Sequence, residues 1–259
     1  MSDSPGVDPL GRFSDRVGDY VKYRPTYPSA LVAFLREHAG LGASMAVADV
    51  GSGTGIFTGL LLGTGARVLA VEPNNAMRHA AEQAFGGTAN FTSIKGTAEA
   101  TGLAAQSVSL VTCAQAFHWF KPEEAQREFQ RILSPNGLCG LIWNTAVIAA
   151  SDFAIGYEKL KVEHGTDHNQ IRHEDIVKSG RVDLFFGAGK WKRHTFPNHQ
   201  VLDLTGLRGR LLSSSYAPKK GSPKHEPMMA ALDRLFAQTE RDGRVRMDYV
   251  TELFLGRPL

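Results

Sequence analysis

Asp49, Gly51, Gly53, Gly55 and Glu72 are the residues whose types and spacing point most directly to chemistry. Four of them lie in the segment VADVGSGTGIFT, Val47 to Thr58. There an apolar run, Met45 to Val50, ends in three glycines at alternate positions, and a second apolar stretch, Ile56 to Leu62, follows at once. That order reads as strand, tight loop and helix. A glycine backbone, with Ser52 and Thr54 between the glycines, can turn sharply and lie flat against a ligand. The helix behind it presents free N–H groups that favour a carboxylate or another anion. The next apolar run, Arg67 to Val71, ends in Glu72, about twenty residues past the first glycine. A carboxylate at that strand tip can accept hydrogen bonds from both hydroxyls of a ribose.

The glycine spacing separates two cofactors. A dinucleotide fingerprint, G-x-G-x-x-G or G-x-G-x-x-A, would need a small residue where this chain has Ile56. The pattern present, D-x-G-x-G-x-G from Asp49, resembles motif I of the class I methyltransferases that use S-adenosylmethionine. An NAD(P)-dependent oxidoreductase is the alternative that Ile56 disfavours. An S-adenosylmethionine-binding module without transferase activity is the other.

Alternating strands and helices must position these residues. Strands are expected at about 45–50, 67–71, 90–94, 108–114 and 137–143, and helices near 55–63, 74–85, 121–133 and 151–163. Another helix is expected from Ser29, stopped by Gly40 and Gly42. Pro122 and two following glutamates mark the start of the helix at 121, and the turn Ser134-Pro135-Asn136-Gly137 its end. Such alternation means an α/β fold, a mostly parallel sheet with helices on both faces. Residues 1–15 are expected to be mobile, and 1–28 to form an N-terminal access segment. Residues 29–144 make the Rossmann-like cofactor-binding core. The polar stretch 145–190 reads as an inserted cap over the substrate site. Residues 191–259 complete the sheet, with a strand near 191–196, helices near 200–212 and 227–238, and a last strand over 245–255.

Three further groups face the same end of the sheet. Pro73 and Asn74-Asn75-Ala76-Met77 open the second helix; Met77 lies on an adenine face or packs as an ordinary core residue. Thr97-Ala98-Glu99 follows the third strand, where an acid and a backbone N–H can read the adenine edge. Gln115-Ala116-Phe117-His118-Trp119-Phe120 follows the fourth strand and should border the reacting group. His118 there is a candidate general base or a shaper of the pocket. The loop lacks the N-P-P-Y-like tetrapeptide of amino-methyltransferases acting on nucleobases or glutamine.

Tyr23 and Arg24, in a segment that also holds Tyr20 and Tyr27, are candidates at the cofactor. The planar guanidinium of Arg24 can clamp the methionyl carboxylate or a substrate carboxylate, unless it serves a surface salt bridge.

Other signals point away from competing functions. His164, Asp167, His168, His173 and Glu174 resemble a ligand set, but Gly165 interrupts them in a polar stretch, so no metal is expected. Lys190, Lys192 and Arg193 around Trp191 are scattered basic residues, and the net charge of +3 implies no nucleic acid. No G-x-S-x-G elbow is present, which argues against a hydrolase. The 259 residues are 42% apolar and 21% charged, an ordinary globular composition. The chain shows neither a signal-peptide core nor a membrane-length apolar run. Cys113 and Cys139 fall in expected strands and read as reduced thiols of a cytoplasmic protein.

VADVGSGTG, VLAVEPNNAM, AQAFHWF and LSPNGLCGLIWN together resemble the class I methyltransferases of the type-11 family, which includes trans-aconitate methyltransferase-like and many other small-molecule enzymes. YRPTYP at 23–28 and GRLLSSSYAP at 209–218 resemble segments of one subgroup. The resemblance implies a seven-stranded sheet whose last strand is antiparallel. It also implies methyl transfer to a small-molecule O, N or C nucleophile. In this reading the glycines pack on the methionyl part, Asp49 orients the loop or the amino group, Glu72 holds the ribose, and Ala98 and Glu99 read the adenine.

Overall fold

The first apolar run forms β1 (Ala46–Val50) and the second β2 (Arg67–Val71), each buried along almost its whole length. Burial on both faces is the mark of a central parallel strand. In this computed structural model, residues 17–166 and 179–259 are described. The sheet also contains β3 (Phe91–Ile94), β4 (Val108–Ala114), β5 (Leu133–Ala146), β6 (Trp191–Leu202) and β7 (Val245–Gly256). Its order is β3-β2-β1-β4-β5-β7-β6. The first five strands run parallel, and β7 is antiparallel to both β5 and β6. The chain therefore winds outward in opposite directions from β1 and β4. The loops leaving those two strands diverge and open a crevice at their carboxyl ends.

Side chains alternate across the sheet and build a core on each face. Val47, Leu110 and Ile142 pack with Leu31 and Leu35 of α2 (Ser29–Ala39) and with Phe57 and Leu61 of α3 (Ile56–Leu62). Ala48, Val111 and Leu141 face the other way, towards Phe129 of α5 (Pro122–Ile132) and towards Phe117 in the turn before it. Phe117 sits edge-on to Trp143 and Phe185 at centroid distances of 6.1 and 5.0 Å. Cys113 and Cys139 are buried free thiols within this core.

The C-terminal half is distributed differently from expectation. Arg181–Phe186 forms a short helix, α7, inside the stretch expected to be a cap, α6 being Asp152–His164. Yet Val182, Phe185 and Phe186 are buried in the sheet core beside α5. The helix expected to rejoin the core begins only at Leu204, because β6 continues to Leu202. This helix, α8 (Leu204–Leu212), packs with α6 and α9 (His225–Thr239) in a third cluster above the sheet. Phe153, Tyr157, Leu207, Leu211 and Leu232 form it with Met247 and Tyr249 at the start of β7. The layer above the sheet is therefore built from segments some eighty residues apart in sequence, held by apolar burial and not by chain continuity. β5 also begins earlier than expected, at Leu133. The turn Ser134–Gly137 is absorbed as an irregularity between the pairs Val108↔Leu133 and Leu110↔Leu138.

The segment 23–28 is stitched to this half by polar side chains. Asn144 and Asn198 both donate to the carbonyl of Thr26, at 3.2 and 2.8 Å, and Gln200 donates to that of Tyr23 at 3.1 Å. Tyr23 ends α1 (Val17–Tyr23), which lies along α8. Residues 1–15 lie outside the described residues. No helix among the described residues is long and apolar enough to cross a membrane.

Candidate active site

Asp49 sits near the end of β1, 1% exposed, with both carboxylate oxygens occupied. Thr58 of α3 donates to one at 2.7 Å, and Thr112 of β4 to the other at 3.0 Å. Burial pushes its carboxyl up to about 6 against the pull of these two hydrogen bonds. Asp49 thus ties β1, β4 and the helix after the glycine loop together.

Glu72, at the tip of β2, holds the loop from the other side. One oxygen accepts the backbone N–H of Gly53 at 2.9 Å, the other that of Asn74 at 2.8 Å. Burial raises its pKa, and the two backbone hydrogen bonds oppose the rise. Asn74 in turn caps α4 (Asn75–Phe85), accepting from the N–H groups of Ala76 and Met77.

The glycines have separate duties. Gly53 lies at φ +57°, and a Cβ there would meet nothing nearer than the Met77 sulfur at 3.8 Å. With its N–H held by Glu72 and no side chain, its backbone lines the cavity and permits a close approach. Gly55, at φ +87°, faces the ring of Phe85, which a Cβ would approach to 2.7 Å. Gly55 packs against Phe85 and Ala81 of the helix that follows β2.

These elements enclose a cavity of about 470 Å³, a size suited to a small organic ligand. Asp49, Gly51, Ser52, Gly53 and Thr54 line it from the first loop, and Glu72, Pro73 and Met77 from the second. Thr97, Ala98 and Glu99 line it after β3, and Gln115, Ala116 and His118 after β4. Arg24 closes it from the N-terminal segment. Gly55 and Tyr23 are the two sequence candidates that lie off the cavity. The Tyr23 ring is packed instead against Gly209 of α8.

Several of these residues have structural partners as well. Glu99 accepts the backbone N–H of Lys121 at 2.9 Å and so holds the start of α5. Gln115 adopts φ +56°, an uncommon conformation for a residue with a Cβ. Its N–H donates to Ile142 and its side chain to the Asn144 carbonyl. His118 stands in a single helical turn, Phe117–Trp119, anchored by the buried Phe117. Arg24 donates to the Ser213 carbonyl at 2.9 Å and lies 4.8 Å from the Tyr20 ring centroid, while its Nε has no hydrogen-bond partner. Burial and the neighbouring Arg210 lower its pKa.

Trp143, Ser215 and Tyr216 also line the cavity and were not among the sequence candidates. Trp143 falls in an expected strand, and Ser215 and Tyr216 in the segment 209–218 that resembles one subgroup. Of the histidine group weighed as a metal site, His164 ends α6 and the other members lie outside the described residues. Among the basic residues weighed for nucleic acid, Arg193 pairs with Glu252.

The donor set suits S-adenosylmethionine. Gly53 exposes bare backbone, the Thr54 hydroxyl is buried without a partner, and the Arg24 Nε is an orphaned donor at the cavity wall. Comparison with known proteins agrees. A methyltransferase domain model matches residues 48–141. An uncharacterized methyltransferase of Mycobacterium tuberculosis is 38% identical over 203 residues, 78% of each chain. An uncharacterized methyltransferase-like protein of Schizosaccharomyces pombe is 29% identical over 251 residues, 95% of this chain and 94% of its own. A solved structure of a type II methyltransferase candidate from Anaeromyxobacter dehalogenans shares the fold, with 22% identity, a TM-score of 0.66, and coverage of 91% of this chain and 98% of that one. The chain belongs to the S-adenosylmethionine-dependent methyltransferases, with S-adenosylmethionine as its cofactor.

Proposed function

We propose that this cavity methylates a small-molecule acceptor. Gly53 and Glu72 would hold the ribose end of the cofactor, Met77, Ala98 and Glu99 the adenine, and Arg24 the methionyl carboxylate. The observation that carries this reading is the coupling of Glu72 to Gly53 at the cavity wall. S-adenosylmethionine supplies a methyl group already activated by a positive sulfur. The chain's own task is then to align the acceptor and exclude water. Trp119, Phe120 and Trp143 give the far side of the cavity an apolar, aromatic wall, and Tyr20 and Tyr216 border it. A cavity of this size bounded by rings supports a small molecule over a nucleic acid.

Calorimetry with S-adenosylhomocysteine and with NAD tests the binding site. Tight binding of the first and none of the second is expected. The reverse result would overturn the assignment of these residues. Methyl transfer from labelled S-adenosylmethionine into a small-molecule extract fraction, with none into nucleic acid, tests the acceptor class.

A further inference from the structure

Tyr216 stands where two cavities meet. The large one holds the glycine loop, and a smaller one of about 50 Å³ lies between α6, α8 and the start of β7. Tyr216 lines both, whereas Tyr20 and Tyr27 line only the large cavity and Tyr157 and Tyr249 only the small one. Its backbone is fixed: its carbonyl accepts the N–H of Thr166 at 3.0 Å and the Thr166 hydroxyl at 3.2 Å. Two residues before it, the Ser214 hydroxyl accepts from Arg210 at 3.1 Å.

Cations gather on this phenol. The Lys161 ammonium, from α6, lies 5.9 Å from its ring centroid. Arg210 of α8 and Arg24, just past α1, also act on it electrostatically, and Ser214 hydrogen-bonds its hydroxyl. The carboxylates on the small cavity are committed, Glu158 to Lys161 and Asp248 to Arg246. Among the described residues neither Arg24 nor Arg210 forms a salt bridge. Buried guanidinium groups without a carboxylate call for a negative charge nearby. A phenolate is one that the chain can make for itself. Burial raises the Tyr216 hydroxyl, but Lys161, Arg210, Ser214 and Arg24 outweigh it and bring it below its ordinary value. Tyr157 moves the other way, because burial and then Tyr216 hold its proton in place. Of these two phenols, the one that gives up its proton more readily is the one that lines the methyl-transfer cavity.

We propose that Tyr216, set among Lys161, Arg210 and Arg24, is the proton acceptor of the transfer, its phenolate taking the hydrogen carried by the nucleophilic atom of the substrate. The inference rests on the proposed function and adds the class of substrate: one whose nucleophile must lose a proton, such as a phenol, an enol or a thiol. A carboxylate, ionised already, would have no use for this group. As the nucleophilic atom bonds to the methyl carbon, the carbon–sulfur electron pair stays with sulfur and the proton passes to the Tyr216 oxygen. The negative charge of the phenolate and the positive charge of the sulfonium disappear together, so the step leaves no new charge in the cavity. Tyr216 returns the proton to solvent before the next turnover.

Ultraviolet titration of the full chain comes first, because it needs no substrate. One of the six tyrosines should ionise below the ordinary tyrosine range, and Tyr216→Phe should remove that step. Arg210→Gln should move it upward, and a step that does not move decides against the proposal should Tyr216→Phe fail to fold. The second readout is the initial rate of labelled methyl transfer into a small-molecule extract fraction, followed between about pH 6 and 10. The parent rate should climb with pH as Tyr216 ionises. Tyr216→Phe keeps the ring on the cavity wall; it should lower the rate near neutral pH by about 10²-fold and flatten the climb. A purely structural role would lower the rate alike at every pH. S-adenosylhomocysteine affinity should stay within about twofold. A parent with no low-titrating tyrosine, a step that survives Tyr216→Phe, or a variant rate within about threefold of the parent's with the same pH profile would each overturn the proposal. Failure of S-adenosylhomocysteine to bind the parent chain would instead overturn the cofactor-site reading, and absence of transfer into any small-molecule fraction would overturn the proposed function.

Discussion

The Glu72 carboxylate accepts the backbone N–H of Gly53 at 2.9 Å, so the tip of β2 and the middle of the glycine loop behave as one unit. Its second oxygen accepts from Asn74, which starts α4. Glu72→Ala therefore removes the tether of the loop together with the proposed ribose contact. It should weaken S-adenosylhomocysteine binding by about 1–3 kcal/mol. Glu72→Gln should not restore affinity, because its amide presents a donor to one of the two backbone donors. Calorimetric dissociation constants unchanged in both variants would remove Glu72 from the site.

Asp49 makes stability depend on pH with a definite sign. Its ordinary value of 3.8 is raised to about 6 in the fold. The folded state binds this proton more tightly than the unfolded one. The resulting stabilisation is fully present below pH 3.8 and is lost as pH rises through about 6. The whole effect is roughly 3 kcal/mol, and the raised Glu72 acts in the same direction. Asp49→Asn keeps a hydrogen-bonding group between Thr58 and Thr112 and removes the buried charge. Urea unfolding between pH 4 and 8 should show a flatter profile in the variant. A slope as steep as the parent's would assign the titration elsewhere.

Gly53 and Gly55 separate binding from folding. Gly53→Val would place a branched side chain in the cavity at φ +57° and should abolish cofactor binding. Gly55→Ala would press on Phe85 at φ +87° and should cost about 1–3 kcal/mol of stability. The fraction that remains folded should bind S-adenosylhomocysteine normally. Paired unfolding and binding measurements distinguish the two, and loss of binding in folded Gly55→Ala would restore Gly55 to the ligand.

The contrast between those glycines also shows what the sequence makes visible. Asp49, Gly53 and Glu72 could be placed because a strand, a loop and a helix in succession leave little freedom in where the loop points. Gly55 shares their motif, yet its role depends on Phe85 thirty residues later, which no local pattern discloses. The same limit hid Arg210 and Tyr216. Arg210 stands on α8, which carries Gly206 and Gly209 and a weak apolar pattern, and Tyr216 lies in the turn beyond it, so nothing nearby indicates that this segment covers the site. It does so because Tyr23 and Arg24, nearly two hundred residues earlier, pack against Gly209 and donate to Ser213. The parallel sheet was legible because its strands are short apolar runs between turn residues. The cap was not, because α6, α8 and α9 are held together only by side chains from distant segments.

Gly209 is the point where that long-range contact is tightest. A Cβ there would lie 2.1 Å from the Tyr23 ring. Gly209→Ala should force the ring aside and cost about 1–3 kcal/mol. Arg24, the next residue, would move with it, so KM for S-adenosylmethionine should rise more than kcat falls. Tyr23→Ala should relieve the clash, making the double variant less impaired than the sum of the singles. Strict additivity in a double-mutant cycle would show that the two positions are independent.

His118 lies on the cavity in the turn after β4, beside Trp119 at a ring-centroid distance of 4.9 Å. Two roles fit that position. A general base would take the acceptor's proton, and His118→Ala would then lower kcat by roughly 10²–10⁴-fold. A residue that only shapes the pocket would change KM more than kcat. The second outcome is expected, for a reason rooted in the reaction. The transferable methyl is already activated, so alignment supplies most of what the protein must contribute. The turn Phe117–Trp119 is fixed by a buried ring, which suits His118 to shaping the proposed acceptor pocket. His118→Gln, which keeps a hydrogen-bonding side chain of similar reach, should then recover most of the lost KM. A kcat loss of 10²-fold or more in both variants, with an altered pH profile, would instead identify His118 as the base.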